Sequence, residues 1–281
     1  MSTSKICFYK YRYWLLNTHA TGELSEKDKN HLFCEKFFKS QDVTIGNTIY
    51  KIRQLFNEGV HYFGQIGKVT KAHLNEDTGA QIEPVEADDN PFLYYYSIAE
   101  DGYQVIYVQR DNRNILGTTC DTIERKLSQI ADNAAKPLLV SISCIVEESC
   151  FWDSIRYFNI IDKVEFTFTR PNFLTCEEDL SDALLKLKAS INSDTLSVGY
   201  KGHDGLIIDE NNEEIKAQAA YSSEYSGDWK IKGRQSEQSK QETRTKTSAF
   251  KAVLVELPKK LRNIEDMFIA IKKQINEKKS D

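Results

Sequence analysis

The chain has 281 residues, of which 40% are hydrophobic and 28% are charged, and its formal net charge is -5. These fractions are typical of a folded globular protein and exclude a disordered chain. No stretch reaches the roughly 18 uncharged apolar residues that a membrane helix needs, and the N-terminus has no apolar signal core, so we expect a cytoplasmic protein.

Cysteine spacing and known motifs limit the possible cofactors. The six cysteines are scattered without a close C-x-x-C pair, which predicts free thiols in a reducing compartment and disfavours a zinc site. The chain has no Gly-rich phosphate loop, no H-E-x-x-H helix and no G-x-S-x-G elbow. The sequence therefore predicts no cofactor and no metal, and favours a protein that is not an enzyme.

The first half of the chain alternates between predicted strands and helices. Aromatic-rich residues 5–16 predict an opening strand, and Ser25 caps a helix predicted over residues 26–40. The remaining predictions here are hairpins over 48–73 and 92–109, an exposed acidic loop over 75–91, a helix from Thr118-Thr119 to Ala131, and a buried strand over 138–146.

The second half follows the same logic. After a short helix over 149–161, alternation of Val164, Phe166 and Phe168 with polar residues predicts a half-buried strand. The later predictions are a helix from Cys176, extended segments over 195–200 and 205–208, a hairpin turn over 208–215, a mobile basic loop over 233–248, and a helix from Ser248 towards Lys279 that Pro258 must interrupt.

These elements predict an α+β protein with mixed, largely antiparallel sheets and packed helices. We expect two subdomains, residues 1–162 and residues 163–281. The second carries a basic loop over 229–248 and a terminal helix. An apolar stripe on that helix can dock onto its own domain or pair with a second copy of the chain.

Charge is distributed unevenly along the chain. Residues 229–281 contain 14 Lys/Arg and 7 Asp/Glu, a balance of +7, which leaves 23 basic and 35 acidic residues, a balance of -12, for residues 1–228. Phosphate contacts need only positive charge and hydrogen-bond donors, so scattered cations suffice for binding without sequence preference. The candidate DNA-binding residues are Lys230, Lys232, Arg234, Lys240, Arg244, Lys246 and Lys251, with Arg110 and Arg113 as outliers.

One pattern points instead to a metal-dependent nuclease. Some nucleases place acid-x-Lys on a strand close to a preceding Asp, so that the carboxylates hold a divalent metal and the lysine polarises water. Glu214-Ile-Lys216 after Asp204 and Asp209 has this form. Solvated acids in a turn explain the same residues, and we favour that explanation.

The order of elements resembles the RexA-like phage exclusion proteins of lambdoid prophages. The resemblance is carried by Phe8-Tyr-Lys-Tyr-Arg12, Gly46-Asn-Thr-Ile-Tyr50, the Pro91-Phe-Leu-Tyr strand, the strand near 164–170 and a Lys-rich C-terminal helix. It implies a cytoplasmic homodimer that binds double-stranded DNA without marked sequence preference. It also implies a sensor in abortive infection that works with a separate membrane or effector protein.

We therefore expect a sequence-independent double-stranded DNA-binding protein of anti-phage defence. Two alternatives stay open at this point: a metal-dependent nuclease using Asp204, Glu214 and Lys216, and a protein-interaction module of the antitoxin kind that does not bind DNA.

Overall fold

The computed structural model describes residues 3–77, 82–110, 113–169, 195–224, 227–258 and 263–277. The described residues form antiparallel sheets with packed helices, which confirms the predicted α+β class and a helix at the C-terminal end. The helices are α1 Glu26–Phe37, α2 Cys120–Ala134, α3 Ser149–Tyr157, α4 Glu213–Glu224 and α5 Ile264–Glu277.

Fourteen strands are present in the described residues, in three sheets. In chain order they are β1 Thr3–Leu16, β2 Gln41–Ile45, β3 Thr48–Glu58, β4 His61–Lys68, β5 Thr70–Asp77, β6 Ile82–Asp89, β7 Phe92–Glu100, β8 Tyr103–Gln109, β9 Leu139–Cys144, β10 Ile160–Thr169, β11 Thr195–Lys201, β12 Gly227–Arg234, β13 Glu242–Thr245 and β14 Val253–Pro258.

The chain divides into two compact units, and both are discontinuous in sequence. The first contains residues 1–10, 15–141 and 252–281, and the second contains residues 11–14 and 142–251. The boundary predicted after residue 162 lies inside the second unit, within β10, because β10 hydrogen-bonds to both β11 and β12.

The first unit is built on a sheet of strand order β14-β1-β8-β7-β4-β3-β2, with β9 also paired to β1. Neighbouring residues of β7 face opposite sides, so Tyr95 meets Phe37, the last residue of α1, and Phe38 directly after it, while Tyr96 meets Phe268 of α5. Cover on both faces explains why five consecutive residues of β7 are buried. The apolar stripe of α5 is thus part of this unit's own core.

Helix starts in this unit follow local capping chemistry. The Ser25 hydroxyl accepts a hydrogen bond from the Asp28 backbone N–H at the start of α1, as predicted. Thr119 and Thr122 form a reciprocal capping box at the start of α2. The α2 residues predicted to be apolar and inward, Ile123, Leu127 and Ile130, are buried.

The second unit has a four-stranded antiparallel sheet of order β11-β10-β12-β13 with α3 and α4 against one face. Val164, Phe166 and Phe168 of β10 point to that face and are buried, as the alternation predicts. Phe151 of α3 packs edge-to-face on Trp229 of β12 with ring centroids 5.6 Å apart. Burial of these large rings fixes which side of each strand faces outwards.

Two predictions in the first half were wrong. Residues 75–91 are not a loop, because β5 and β6 pair over eight positions from Thr70↔Asp89 to Asp77↔Ile82. Backbone pairing here overrides the low strand propensity of acidic residues. Residues 138–146 do not form a fully buried strand, because β9 alternates between exposed or half-buried and buried positions.

Three predictions in the second half were also wrong. Residues 205–208 belong to no strand, and the predicted hairpin turn over 208–215 leads into helix α4. Val253–Pro258 forms strand β14 against β1 instead of a helix, because the β-branched residues of the Val-Leu-Val run pack well in a β-sheet. The predicted basic loop contains β13, and the helix predicted from Cys176 lies outside the described residues.

In the part of the chain that the structure describes, no helix combines the length and apolar character needed to cross a membrane.

Candidate nucleic-acid interface

The sheet of the second unit has an outward face whose side chains alternate with its buried core. On β12, Trp229 and Ile231 are buried while Lys230 is exposed and Lys232 half-buried. On β11, the outward residues Ser197 and Lys201 are exposed, with the half-buried Val198 between them turned to the core. This outer sheet face, formed by outward residues of β10 to β13, is polar throughout.

Three lysines from three adjacent strands stand in one row on the outer sheet face. Lys163 of β10 lies directly opposite Lys201 of β11 on one side and opposite Lys232 of β12 on the other. Neighbouring strands are about 4.8 Å apart, so the side chains of the three lysines lie close to one another. Like charges placed directly opposite each other destabilise a sheet. Folding alone therefore gives no reason for this lysine row.

A single acid lies in the next row. Glu165 stands opposite Lys230, and its Oε2 lies 2.6 Å from Nζ of Lys163. The hydrogen bond from Lys163, together with the charges of Lys163, Lys230 and Lys232, holds the pKa of Glu165 below its usual value. Four lysines against one ionised carboxylate leave these two rows with a balance of +3.

Arg234 lies at the end of β12 on the same side and is engaged in a structural ion pair. Its Nη2 donates to Oδ1 of Asp162 at 2.9 Å, and Gln241 donates to Oδ2 of the same carboxylate at 2.8 Å. The Gln241 hydrogen bond and then the Arg234 contact lower the pKa of Asp162. Arg234 therefore anchors the β12–β13 hairpin, and Asp162 balances its charge.

Hydroxyl groups continue the outer sheet face beyond the charged rows. Thr167 of β10 and Ser197 of β11 are opposite each other, with their oxygens 3.3 Å apart. On its other side Thr167 stands opposite the exposed Asp228 of β12, so this row of the face also carries one acid. Thr243 and Thr245 of β13 stand opposite Lys232 and Lys230. Hydroxyls donate readily to phosphate oxygens. No aromatic ring lies among the outward residues of β10 to β13 that the structure describes.

Several candidate residues do not join this face. Arg244 of β13 stands opposite the buried Ile231, and its guanidinium lies 3.7 Å from the ring centroid of Tyr157 on the inner side. Lys246 is 1% exposed, and its Nζ donates to the Gly227 carbonyl oxygen at 2.9 Å. Burial and this hydrogen bond remove Lys246 from the predicted DNA contacts.

The remaining candidates are exposed but belong to other segments. Lys240 lies in the β12–β13 hairpin, and Lys251 lies between the 3₁₀ turn Thr247–Ala249 and β14. Arg110 and Arg113 belong to the first unit, after β8, and both are exposed. The structure thus brings together Lys230, Lys232 and Arg234 from the predicted set.

The residues of the nuclease hypothesis occupy a helix instead of a strand. Glu214 and Lys216 lie in the first turn of α4, two residues apart, so their side chains point in directions about 200° apart. Asp204 is in the exposed segment before α4, where its carboxylate lies 3.8 Å from Nδ1 of His203. This placement departs from the strand geometry that the motif requires.

Sequence reasoning missed Lys163 and Lys201, which complete the lysine row. Lys163 begins the predicted strand, and Lys201 directly follows the extended segment predicted over 195–200. Their meeting depends on the antiparallel register that pairs residues far apart in the chain. The alternation of β10 identifies Lys163 as outward-facing, so that part of the signal was present in the sequence.

A family model described as "Domain of unknown function (DUF4747)" matches residues 9–273, and the chain belongs to this family. No curated protein matches the sequence. No solved structure matches it either.

Proposed function

We propose that this member of the DUF4747 family binds double-stranded DNA through the phosphate backbone, without sequence preference, using the outer sheet face. The observation that carries the proposal is the row formed by Lys163, Lys201 and Lys232. Mutual repulsion within that row is relieved when a polyanion lies across it, because each phosphate neutralises a lysine and releases counterions.

The shape and chemistry of the face favour a duplex backbone over other anions. Cations on adjacent strands, about 4.8 Å apart, suit a polymer that carries one charge per about 1.7 Å of duplex axis. Proteins that bind single strands add aromatic platforms on which bases stack. The described outward residues of β10 to β13 include none, so backbone contact is the interaction that this face offers.

The net charge of -5 favours binding in which DNA lies against the outer sheet face and not against the rest of the protein. An acidic protein repels DNA over most of its surface, and only a local positive field attracts it. The two charged rows of the outer sheet face supply such a field. Lys230 and Lys232 place this field on β12, whereas the charge of Arg234 is balanced by Asp162.

The resemblance to RexA-like phage exclusion proteins extends the proposal to a role. DNA bound on the outer sheet face would serve as the signal in anti-phage defence, and a separate effector protein would respond to it. The resemblance also implies a cytoplasmic homodimer. Phe268, Ile271 and Ile275 of α5 are buried within the first unit, so the dimer needs a surface other than this apolar stripe.

The test is a triple variant that removes the lysine row, Lys163→Gln/Lys201→Gln/Lys232→Gln. Binding to unrelated duplexes is measured by fluorescence anisotropy from low to high salt. Glu165 holds Lys163 in the wild type, so the variant loses the phosphate contacts of Lys201 and Lys232, and the slope of log Kobs against log[salt] becomes less negative by about 1.8. A control triple, Lys27→Gln/Lys39→Gln/Lys273→Gln, changes the net charge equally at exposed sites of the first unit and should keep the wild-type slope.

Equal slopes for the two triple variants would refute the interface, and undetectable wild-type binding at low salt would refute DNA binding altogether. A magnesium arm addresses the nuclease alternative. Cleavage that disappears in Glu214→Gln would establish the enzyme instead. A defence phenotype that survives removal of the lysine row would favour a protein-interaction module.

A further inference from the structure

A surface cavity of about 270 Å³ lies in the first unit, independent of the outer sheet face. Its floor comes from β3 and β4, where Tyr50 and Lys68 are directly opposite in the antiparallel register and so share one face. The wall comes from the loop before α2 and from the first turns of α2, which bring Arg125 and Lys126 to the same cavity.

Three cations line this cavity: Lys68, Arg125 and Lys126. No Asp or Glu is among its lining residues, and within the described ranges none of the three cations has a carboxylate partner within 4.0 Å. A concave site lined by one sign of charge focuses the electric field and raises the local concentration of the opposite ion. The cavity is therefore selective for anions.

The rest of the lining carries no charge. Tyr50 and Leu116 lie behind the cations but are only 2% and 1% exposed, so they offer a ligand little apolar surface. Thr48 and Asn114 add short polar side chains. In a ligand site, a few polar groups of this kind fix the orientation of the ligand.

The loop that closes the cavity has a fixed shape. Asn114 has φ of 55° and Gly117 has φ of 125°, and a Cβ at Gly117 would overlap the Thr122 hydroxyl. Thr122 is itself held in the capping box of α2. The backbone of this loop is thus held in one conformation without a ligand, which lowers the entropic cost of binding.

We propose that this cavity binds a small phosphorylated compound, with its phosphate held by Lys68, Arg125 and Lys126. Arginine presents a planar fork that matches phosphate oxygens in bidentate fashion, and the lysines add compact charge. The volume of about 270 Å³ lies just below the usual range of about 300–1,000 Å³ for small-molecule sites, which limits the ligand to at most about the size of a mononucleotide.

The test uses isothermal titration calorimetry on the full chain with two probes, inorganic pyrophosphate and AMP, at constant ionic strength. Wild type is compared with Arg125→Gln/Lys126→Gln and with Lys68→Gln. Gln has a helix propensity similar to that of Arg and Lys, so the double variant should leave α2 as stable as in the wild type. Lys68→Gln removes the third cation, which lies on β4 and not on α2. Each cation removed should weaken binding roughly tenfold to a hundredfold.

Two controls separate this site from the DNA interface. Lys163→Gln/Lys201→Gln/Lys232→Gln should keep wild-type affinity for the probes, while Arg125→Gln/Lys126→Gln should keep wild-type affinity for duplex DNA. Absence of binding by the wild type at millimolar concentration of both probes would overturn the proposal. Equal weakening in the exposed control Lys27→Gln/Lys39→Gln would overturn it too, since it would reveal only a response to net charge.

Discussion

Glu165→Gln should strengthen DNA binding while it weakens folding. Glu165 is the only acid in the two charged rows of the outer sheet face, and it holds Nζ of Lys163 at 2.6 Å. The substitution keeps the size of the side chain, removes its charge and replaces one acceptor oxygen by an NH2 donor. Lys163 is then free to contact a phosphate, and the local balance rises from +3 to +4.

The size of the effect follows from counterion release. One additional phosphate contact steepens the slope of log Kobs against log[salt] by about 0.9. Between about 50 and 200 mM salt this difference amounts to about 0.5 log units, or roughly 3.5-fold. The variant should therefore bind duplex DNA several-fold more tightly than wild type at low salt, and the advantage should shrink as salt rises.

The cost to folding follows from the lost ion pair. Both partners are about one-third exposed, at 36% for Lys163 and 33% for Glu165, so solvent screens the interaction. Pairs of this kind contribute about 0.2–1 kcal/mol. We expect the free energy of unfolding, measured in urea, to fall by about 0.5 kcal/mol.

The expected gain in DNA affinity and the expected loss of folding stability have opposite signs. This makes the test informative, because a misfolded variant would lose both DNA affinity and stability. Anisotropy titrations at several salt concentrations give the slope, and Glu23→Gln in the first unit serves as a control with the same change in net charge. If Glu165→Gln binds DNA no more tightly than Glu23→Gln, the lysine row is not the contact surface.

Three further predictions concern stability. The lowered pKa of Asp162 means that its charged form stabilises the folded state above the ordinary pKa and that this contribution is lost as pH falls; urea titrations of Asp162→Asn should therefore show a smaller loss of stability below about pH 4 than wild type. Lys246→Met removes the hydrogen bond from a buried ammonium group to the Gly227 carbonyl oxygen and should cost about 1–3 kcal/mol in chemical denaturation, whereas Lys240→Met should stay within about 0.5 kcal/mol; equal costs would contradict the structural role. Gly64→Ala places a Cβ on a carbonyl oxygen of the neighbouring strand and should lower the unfolding free energy by about 1–3 kcal/mol, while Gly67→Ala, with its nearest atom at 3.3 Å, should cost less than about 1 kcal/mol.

Local patterns predicted the parts of the fold that depend on neighbours in sequence. Alternation in β10 and capping at Ser25 and Thr119 are decided within a few residues, and the structure confirms them. Residues 253–258 were assigned to a helix because the sequence does not show that β1 supplies a pairing edge for them. Likewise, the acids of β5 and β6 form strands only because each provides a ladder for the other.

The candidate site was predictable only in part for the same reason. Clustered charge drew attention to Lys230, Lys232 and Arg234, which share one side of β12. Charge alone does not distinguish them from Arg244 and Lys246, because two-residue periodicity and burial decide which cations face outwards. Lys163 and Lys201 enter the row through register, which no local pattern contains.

The pairing of β14 with β1 has a consequence for how the protein is made. Residues 253–258 complete the edge of a sheet that begins at residues 3–8, so the ribosome must add about 250 residues before that edge is paired, which takes roughly 12–50 s at the usual rates. All residues of the second unit leave the ribosome before β14 does, and its four-stranded sheet can close first. During that interval the outer edge of β1 is an open template for other strands. Dependence on a chaperone should therefore be greatest for chains that stop short of Val253.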